Sequence, residues 1–303
     1  MAHLKIGKIV LNNSLLLSPM VDVTDCAFRI LCRKQGASMA YTEMIYVDAI
    51  LHENASTKKL MVIGGNGDRP LGLQVTGNNV SDFLRLSKLV ALHDYELIDT
   101  ENRKFSVSPT SHSRFDVVDI NCGCPSSRIV GNEAGSYLLR TPDKIAEMIR
   151  VLKDAGLVVT AKIRLGFTNN NVVEVSKKIE KAGADLLTVH ARTASQKSSE
   201  PPDWKWISRV KREVGIPVVG NGGVVNGKTA SEMLEIADGA MIASAAIGNP
   251  FIFREILRYL KTGKEKEITR VERISAFSDY LKLASKYDVV DISRIKFLGG
   301  NFL

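Results

Sequence analysis

Residues 141–191 read TPDKIAEMIRVLKDAGLVVTAKIRLGFTNNNVVEVSKKIEKAGADLLTVHA and contain two helix-then-strand units. The first helix opens with a cap residue followed by a proline, and it ends at Gly156, before the apolar run 158–165. The second helical stretch is amphipathic and ends at Gly183, before the apolar run 185–191. Short runs that are apolar throughout are typical of parallel strands buried on both faces. This stretch therefore predicts a parallel α/β fold.

The same alternation extends in both directions along the chain. Eight apolar, β-branched runs are predicted as strands: 15–20, 39–44, 71–76, 115–122, 158–165, 185–191, 216–221 and 239–243. Eight strand–helix units in about 250 residues match the size and count of a (β/α)8 TIM barrel. The alternative, an open doubly wound sheet, is less favoured because no GxGxxG sequence follows the first run.

Two segments interrupt the alternation. Residues 93–114 are polar and poorly periodic, which predicts an inserted surface excursion before the fourth strand. Beyond about residue 261 the alternation stops, and residues 264–287 carry apolar side chains at helical spacing. We therefore predict a TIM-barrel domain over residues 1–260 and a small C-terminal helical domain over residues 261–303.

The composition excludes several classes of protein. With 45% apolar and 24% charged residues, the 303-residue chain is not disordered. No apolar run approaches the ~18 residues of a membrane span, and the first residues do not resemble a signal peptide. Four cysteines are too few for a disulfide scaffold, so a reducing cytoplasm is expected. The net charge of +8 permits a polyanionic partner.

Polar residues are concentrated where the predicted strands end. Active sites of TIM barrels lie at the C-terminal ends of the strands. Those ends carry Ser18-Pro19-Met20, Thr42-Glu43-Met44, Gln74, Asn121-Cys122-Gly123-Cys124-Pro125, Lys162, Arg164, His190, Arg192, Asn221-Gly222-Gly223 and Ala243-Ser244. Because polar groups are costly to bury inside a barrel without partners, their concentration at one end predicts a functional site.

Glycines and cations at these ends point to an anionic cofactor. Loops after the seventh and eighth strands of TIM barrels often bind phosphate, and Gly222 and Gly223 let the backbone approach it closely. A plain turn is the alternative for the glycines. Lys162 and Arg164 alternate on one strand and share a face, where Lys162 can stabilise negative charge on a reduced flavin. The alternative for Lys162 is a lysine that extends to solvent from the strand end.

The cysteines divide into two kinds. Cys124 follows a glycine and precedes a proline just after the fourth strand, where its thiol could act as a general acid or as a nucleophile. The alternative is a small buried apolar residue, which is the expectation for Cys26 and Cys32. For Cys122 both interpretations stay open. His190 is weak evidence by itself, because a histidine at a strand end is often only hydrogen-bonded.

Together, these segments resemble the tRNA-dihydrouridine synthase family. In family order, the chain carries SPMVDVTDCAFR, YTEM, RPLGLQVTG, DINCGCPSSRIVGNEAGSYLL, AKIRLGF, TVHARTASQ, IPVVGNGG and GAMIASAAIGNPFIF. They extend from about residue 18 to residue 253, which is the whole predicted barrel. Asn-x-Gly-Cys-Pro followed by Ala-Lys-Ile-Arg and Val-His-x-Arg-Thr is a specific combination.

The resemblance implies an FMN enzyme that reduces a uridine in tRNA to 5,6-dihydrouridine, with NADPH as the reductant. Hydride would pass from flavin N5 to uracil C6, and Cys124 would deliver a proton to C5. The resemblance also implies flavin contacts by Ser18, Pro19, Met20, Gln74, Lys162 and His190, phosphate contacts by Asn221, Gly222, Gly223, Ala243 and Ser244, and uracil contacts by Asn121 and Arg164. It implies a basic tail that contacts tRNA.

The chain departs from the family pattern at four places, one of which is the excursion 93–114, which is longer than expected for the family. The family usually reads Asn-Gly-Asp at residues 221–223 and Gly-Arg at residues 243–244, so one side-chain contact to the cofactor is lost at each. Backbone N–H donors survive both changes. The helical domain is also shorter than usual, which indicates either a reduced domain or a truncated chain.

Two other functions are carried as alternatives. A dihydroorotate dehydrogenase-like flavoenzyme would share the barrel, the FMN site and a catalytic loop, but it would act on a free pyrimidine. A non-catalytic tRNA-binding barrel would need none of the catalytic set. We expect a monomeric cytoplasmic enzyme that binds no metal and no membrane.

Overall fold

A barrel of eight parallel strands forms the centre of the molecule. The computed structural model describes residues 3–53, 55–91, 97–98, 104–105 and 115–302. The barrel strands, β1 to β8, are Leu15–Leu17, Ala40–Tyr41, Leu71–Thr76, Val117–Cys122, Val159–Arg164, Leu186–His190, Val218–Asn221 and Gly239–Ile242. All neighbours are parallel, in the order β1-β8-β7-β6-β5-β4-β3-β2, and a bridge from Leu16 to Met39 joins β1 to the start of β2. The predicted TIM barrel is confirmed.

Helices alternate with the strands and continue beyond them. In the part of the chain that is described, the helices α1 to α12 are Cys26–Lys34, Val47–Leu51, Ala55–Leu60, Val80–Ala91, Ser127–Gly131, Pro142–Asp154, Val172–Lys181, Lys205–Glu213, Gly227–Ile236, Ile252–Thr262, Arg270–Lys286 and Ile292–Phe302. The glycines predicted to end helices, Gly156 and Gly183, both have positive φ. No described helix has the length and apolar character that a membrane crossing requires.

The interior of the barrel changes from apolar to polar along the strand direction. A small hairpin, Lys5–Ile6 with Ile9–Val10, lies at the N-terminal end, and its side chains pack with inward-facing Val117, Val219 and Met241 in a closed apolar cluster. Since every second residue faces inward, the following inward positions on β4, β5 and β6 are occupied by polar side chains. The apolar floor therefore confines a site to the C-terminal mouth.

The strands at the mouth are shorter than predicted. β1 ends at Leu17 rather than at residue 20, because Pro19 has no N–H to donate to a neighbouring strand. The second predicted strand, 39–44, is shortened to β2, Ala40–Tyr41, and a separate two-residue strand, Ile45–Tyr46, follows just beyond the predicted range and also pairs with β3. Between them, Glu43 turns toward the C-terminal helices.

The C-terminal helices pack against the barrel near β1 and β2. Helix α11 begins at Arg270, six residues later than predicted, because Thr269 and Glu272 form a reciprocal capping box at that point. The hydroxyl of buried Tyr280 donates to Asp25 Oδ2 at 2.9 Å, which joins α11 to the start of α1. The predicted excursion, 93–114, lies outside the described residues apart from Leu97–Ile98 and Lys104–Phe105, which pair antiparallel.

Candidate active site

The mouth of the barrel brings together inward-facing polar side chains from neighbouring strands. In the parallel register, Asn121 of β4 lies beside Lys162 of β5, Arg164 lies beside His190 of β6, and His190 lies beside Asn221 of β7. In-register residues of parallel strands face the same side of the sheet. These five residues, all predicted from the sequence, therefore line one continuous wall.

Among the described residues, Lys162 has one amide partner. Its Nζ donates to Asn221 Oδ1 at 3.0 Å, and Asn221 Nδ2 donates to the carbonyl of Met241 at 2.8 Å. This second bond turns the amide oxygen toward the lysine. Burial, reinforced by the nearby Arg164 cation, lowers the pKa of Lys162 to about 8. The ammonium is thus positioned at the mouth with little neutralisation by protein groups.

Arg164 connects the loops that follow β4 and β6, the two strands that neighbour β5. Its Nε donates to the carbonyl of Gly123 at 2.8 Å, and its Nη1 donates to the carbonyl of Thr193 at 2.9 Å. The guanidinium therefore connects the loop after β4, which carries Cys124, to the loop after β6. A charged donor bonded to neutral carbonyls keeps its full positive charge.

His190 is surrounded by cations. Its Nε2 lies 3.1 Å from Arg192 Nη1, so this ring nitrogen accepts a hydrogen bond from the guanidinium. Burial lowers the pKa of His190 to about 2, with further contributions from Lys162, Arg164 and Arg192. The imidazole is consequently neutral at physiological pH.

The loop that carries Cys124 is held by side-chain and backbone bonds. The backbone N–H groups of Gly123 and Cys124 both donate to Asn121 Oδ1, at 3.0 and 2.9 Å, and Ser136 N donates to the Cys124 carbonyl at 3.0 Å. Cys124 is half-buried at the mouth. The other cysteines, Cys26, Cys32 and Cys122, are buried, which confirms the expectation for the first two.

A buried chain of amides leads from β4 into this loop. Gln74 Nε2 donates to Asp119 Oδ2 at 2.8 Å, and Asn121 Nδ2 donates to Gln74 Oε1 at 2.9 Å. The other oxygen of Asp119 accepts from the Thr160 hydroxyl at 2.6 Å. Burial raises the pKa of Asp119 to about 6, although these hydrogen bonds and Lys162 oppose the shift. Asp119 was not predicted from the sequence, although its two-residue spacing from Asn121 places both side chains on one face of β4.

The remaining predicted residues lie at the ends of β1, β7 and β8. Ser18 is buried and its N–H donates to the Ile242 carbonyl at 2.8 Å, whereas Pro19 and Met20 are half-buried. Ala243 is half-buried, and the exposed Ser244 begins a short 3-10 turn, Ser244–Ala246. Topologically, β1 lies across the barrel from β5. The site residues predicted from the sequence therefore lie around the C-terminal mouth of the barrel and not on one side of it.

The loop after β7 is compact. Gly222 and Gly223 have φ values of +96° and +81°, and a Cβ added to Gly222 would lie 2.7 Å from His190 Cδ2. Trp204 Nε1 donates to the Gly222 carbonyl at 2.8 Å. Only glycine adopts this backbone without strain and leaves the imidazole in place.

The mouth has an excess of positive charge. Within the described ranges, Lys162, Arg164 and Arg192 form no salt bridge, and Asp119 is the one buried carboxylate that acts on Lys162. Such a wall fits an anionic ligand whose ring can contact an amide, an ammonium and a neutral imidazole, as a flavin nucleotide does. In the same ranges, no group of three His, Cys, Asp or Glu residues is arranged to hold a metal ion.

A second buried cluster, also missed by the sequence analysis, joins the tail to the rim. Arg294 of α12 donates to Glu43 Oε1 at 2.6 Å and to Asp25 Oδ2 at 3.0 Å. The other oxygen of Glu43 accepts from Asp22 N at 2.7 Å, in the loop after β1. Burial raises the pKa of Glu43, and Arg294 opposes that shift. The tail therefore contacts a loop next to the candidate site.

Solved structures share the fold. A histamine dehydrogenase from Rhizobium sp. 4-9 matches 93% of this chain and 50% of its own, with a TM-score of 0.58 at 14% identity. The structure of the Amycolatopsis orientalis BexX/CysO complex matches 88% of this chain and 98% of its own, with a TM-score of 0.52 at 15% identity. At these identities the likeness concerns the fold alone.

The family is indicated by sequence comparison. The family model described as "Dihydrouridine synthase (Dus)" matches residues 16–101 and 109–290. A tRNA-dihydrouridine synthase B from Pseudomonas putida is 33% identical over 282 residues, which are 90% of this chain and 77% of that protein. Another, from Pseudomonas aeruginosa, is 34% identical over 269 residues, which are 87% of this chain and 75% of that protein. The chain belongs to the dihydrouridine synthase family of oxidoreductases.

Proposed function

We propose that the protein uses FMN and NADPH to reduce a specific uridine in tRNA to 5,6-dihydrouridine. The family match supports the reaction class, and the relatives named above are tRNA-dihydrouridine synthases. The observation that carries the proposal is the half-buried Cys124 beside a mouth lined by Lys162, Arg164 and His190. A non-catalytic RNA-binding barrel has no use for that combination.

The residues of the wall would hold the flavin. Lys162 would stabilise negative charge on the ring, and neutral His190 and Gln74 would supply uncharged polar contacts. The loops at residues 221–223 and 243–244, with Ser18, Pro19 and Met20 across the barrel, would enclose the phosphate and ring edges. When bound, FMN supplies the hydride that adds to C6 of the uracil.

Cys124 is proposed as the general acid. Its thiol would give a proton to C5 of the uracil while Asn121 and Arg164 orient the ring, since both side chains contact the loop that carries the thiol. Arg164 would also stabilise charge on the ring oxygens. Lys162, on the same strand as Arg164, would anchor the flavin at the mouth.

The substrate has to reach the mouth as an extruded base, because a stacked uridine cannot enter a barrel. Contacts to the remaining tRNA would be largely electrostatic. We propose that residues 1–260 form the catalytic unit and that the tail, residues 261–303, contacts the tRNA. Action as a monomer in the cytoplasm stays a prediction.

The experiment is nucleoside mass spectrometry of tRNA from a strain that lacks dihydrouridine. The tRNA is incubated with FMN, NADPH and either the wild-type protein, Cys124→Ala or the buried-cysteine control Cys32→Ala. We expect dihydrouridine with wild type and control, and a loss of about 10²- to 10⁴-fold with Cys124→Ala at unchanged flavin content.

Other outcomes contradict parts of the proposal. Turnover of free dihydroorotate without any tRNA product would favour the dihydroorotate dehydrogenase-like alternative. A protein that binds tRNA but neither FMN nor NADPH would favour the non-catalytic alternative. Near-normal product from Cys124→Ala would remove Cys124 from the mechanism while leaving the reaction in place.

A further inference from the structure

We propose that Asp119 is a positioning residue, which through Gln74 and Asn121 fixes the orientation of the loop that carries Cys124. The inference rests on the proposed function for its catalytic consequence, but its structural part can be tested separately. Asp119 lies on β4, two residues before Asn121, and its side chain is buried below the mouth. It is therefore placed to act through other groups rather than on a ligand.

The first step is the orientation of Gln74. An ionised carboxylate only accepts hydrogen bonds, so the group of Gln74 that approaches Asp119 has to be the amide nitrogen. Nε2 indeed donates to Asp119 Oδ2 at 2.8 Å. With the nitrogen held there, Oε1 of the same amide is directed toward β4. Asp119 thus selects one of the two amide orientations of Gln74.

The second step is the orientation of the Asn121 amide, which is determined by Gln74. Because Gln74 presents an oxygen, Asn121 has to present its nitrogen, and Nδ2 donates to Gln74 Oε1 at 2.9 Å. Asn121 Oδ1 is consequently directed away, where it accepts from the N–H groups of Gly123 and Cys124 at 3.0 and 2.9 Å. Two backbone donors of the Cys124 loop therefore depend on an orientation selected at Asp119.

The opposite orientation of the Gln74 amide would be incompatible with the hydrogen bonds that hold the Cys124 loop. If Gln74 rotated by half a turn, its Nε2 would face Asn121 Nδ2, and two donors would meet. Relief by rotation of Asn121 would turn its Nδ2 toward the N–H groups of Gly123 and Cys124, again donor against donor. A buried donor without a partner is costly enough to displace the loop. Asp119 prevents both rotations.

Two variants of Asp119 separate positioning from charge. Asp119→Leu has the same branched arrangement of heavy atoms but no acceptor, so it removes the selection. Asp119→Asn removes the charge but keeps an oxygen for Gln74 Nε2, and its nitrogen can donate to the Thr160 hydroxyl. If Asp119 acts by positioning, the asparagine variant rescues the leucine variant. If it acts by its charge on Lys162, the two variants behave alike.

Thr188→Val is the matched control. Thr188 lies beside Lys162 in the register of β5 and β6, is buried, and has a hydroxyl without a hydrogen-bond partner among the described residues. Its replacement by valine removes one buried hydroxyl from the same barrel interior and breaks none of the hydrogen bonds of Asp119, Gln74 and Asn121. Gln74→Met is a second probe, because it interrupts the chain of amides one step later without altering Asp119.

The experiment measures two rates on each flavin-loaded variant. One is alkylation of Cys124 by iodoacetamide, followed by peptide mass spectrometry. The other is anaerobic reoxidation of NADPH-reduced flavin by unmodified tRNA. For Asp119→Leu and Gln74→Met we expect alkylation to change at least about threefold and reoxidation to slow about tenfold or more, because small misplacements of reacting groups have large effects on rate. For Asp119→Asn and Thr188→Val, the alkylation rate and the reoxidation rate should both stay within about threefold of wild type.

Several results would overturn the proposal. Equal effects of Asp119→Leu and Asp119→Asn would assign an electrostatic role instead. Wild-type rates in Gln74→Met would contradict transmission through the amides, even if Asp119→Leu failed to fold. If the wild-type protein made no dihydrouridine, the proposed function would fall, whereas the ranking of alkylation rates would still support or contradict the positioning role.

Discussion

His190 lies in an environment that strongly disfavours the charged form of its side chain. Its imidazole lies among Lys162, Arg164 and Arg192, and burial is the main reason that its pKa falls to about 2. A charged imidazole at this place would repel three cations. The neutral ring can instead accept from Arg192, which leaves its second nitrogen available to a ligand.

This shift predicts a pH dependence of stability. The unfolded chain binds a proton at this imidazole below its ordinary pKa of about 6.5, whereas the folded chain does not bind it until about pH 2. The stabilising effect is therefore present above pH 6.5 and is lost as the pH falls toward 2. Between pH 7 and pH 5 it weakens by about 2 kcal/mol.

The variant His190→Gln removes this contribution. Urea unfolding at pH 7 and pH 5 should give a smaller loss of stability for His190→Gln than for wild type, by about 2 kcal/mol. Equal losses in the two proteins would mean that the imidazole titrates normally in the folded protein.

At the scale of single elements, the loop after β7 depends on backbone conformations that favour glycine. Gly222 has a positive φ, and its Cα faces His190 closely enough that a Cβ would overlap the ring. Gly156, which ends α6, also has a positive φ, but nothing lies within 4 Å of an added Cβ. A substitution at Gly156 therefore tests backbone strain alone, whereas one at Gly222 tests strain together with steric displacement of His190.

We expect Gly156→Ala to lower stability by ~1 kcal/mol without effect on flavin binding. Gly222→Ala should lower stability further and should weaken flavin binding at least about tenfold, since the methyl group displaces His190. Thermal unfolding and flavin titration measure the two effects. Equal flavin affinities would contradict the placement of His190 in the cofactor site.

Arg294 joins helix α12 to the loops that follow β1 and β2. Arg294 contacts Asp25 and Glu43, whose side chains are 3% and 4% exposed. Removing the guanidinium leaves two carboxylates buried without their shared cation. Breaking a buried pair in this way typically costs 3–5 kcal/mol, much more than the same change at the surface.

Arg294→Met should therefore lower the free energy of unfolding by ~3–5 kcal/mol. The control Lys282→Ala removes an exposed pair with Asp279 and should change it by less than ~0.5 kcal/mol. Adding Glu43→Gln to Arg294→Met should recover part of the loss. A small loss for Arg294→Met, equal to the control, would show that the tail packs without the ion cluster.

At the scale of the whole molecule, the positive charge is unevenly distributed. From Arg254 to the end there are eleven Lys or Arg residues against seven Asp or Glu, so half of the +8 net charge lies in the last 50 residues. The exposed Lys264 and Lys266 belong to this region, whereas the exposed Lys5 and Lys8 belong to the hairpin at the N-terminal end of the barrel. A polyanion that contacts the mouth and the tail would therefore contact Lys264 and Lys266 but not Lys5 and Lys8.

Binding of tRNA should consequently weaken by about tenfold or more between ~50 and ~200 mM salt. The double variant Lys264→Gln/Lys266→Gln should lower the slope of log affinity against log salt by about one to two, and Lys5→Gln/Lys8→Gln should leave it unchanged. Filter binding of unmodified tRNA measures the slopes. Equal slopes in the two double variants would contradict a tRNA contact by the tail.

Much of the architecture follows from patterns that are local in the chain. Apolar runs, cap residues and closing glycines lie within a few residues of the elements they specify, so the eight strands and the helices between them were predictable. The two-residue alternation of Lys162 and Arg164 likewise placed both on one face of β5. The wall of the candidate site was therefore visible before the fold was known.

Contacts between distant residues were decided by the tertiary structure. Asp119 acts on Gln74 across 45 positions, and Arg294 contacts Asp25 across 269. The sequence around Asp119 and Arg294 does not identify these partners, because local periodicity shows which face a side chain occupies but not which distant group it binds. Only closing the barrel and docking α12 bring these groups together, and burial then makes their hydrogen bonds decisive.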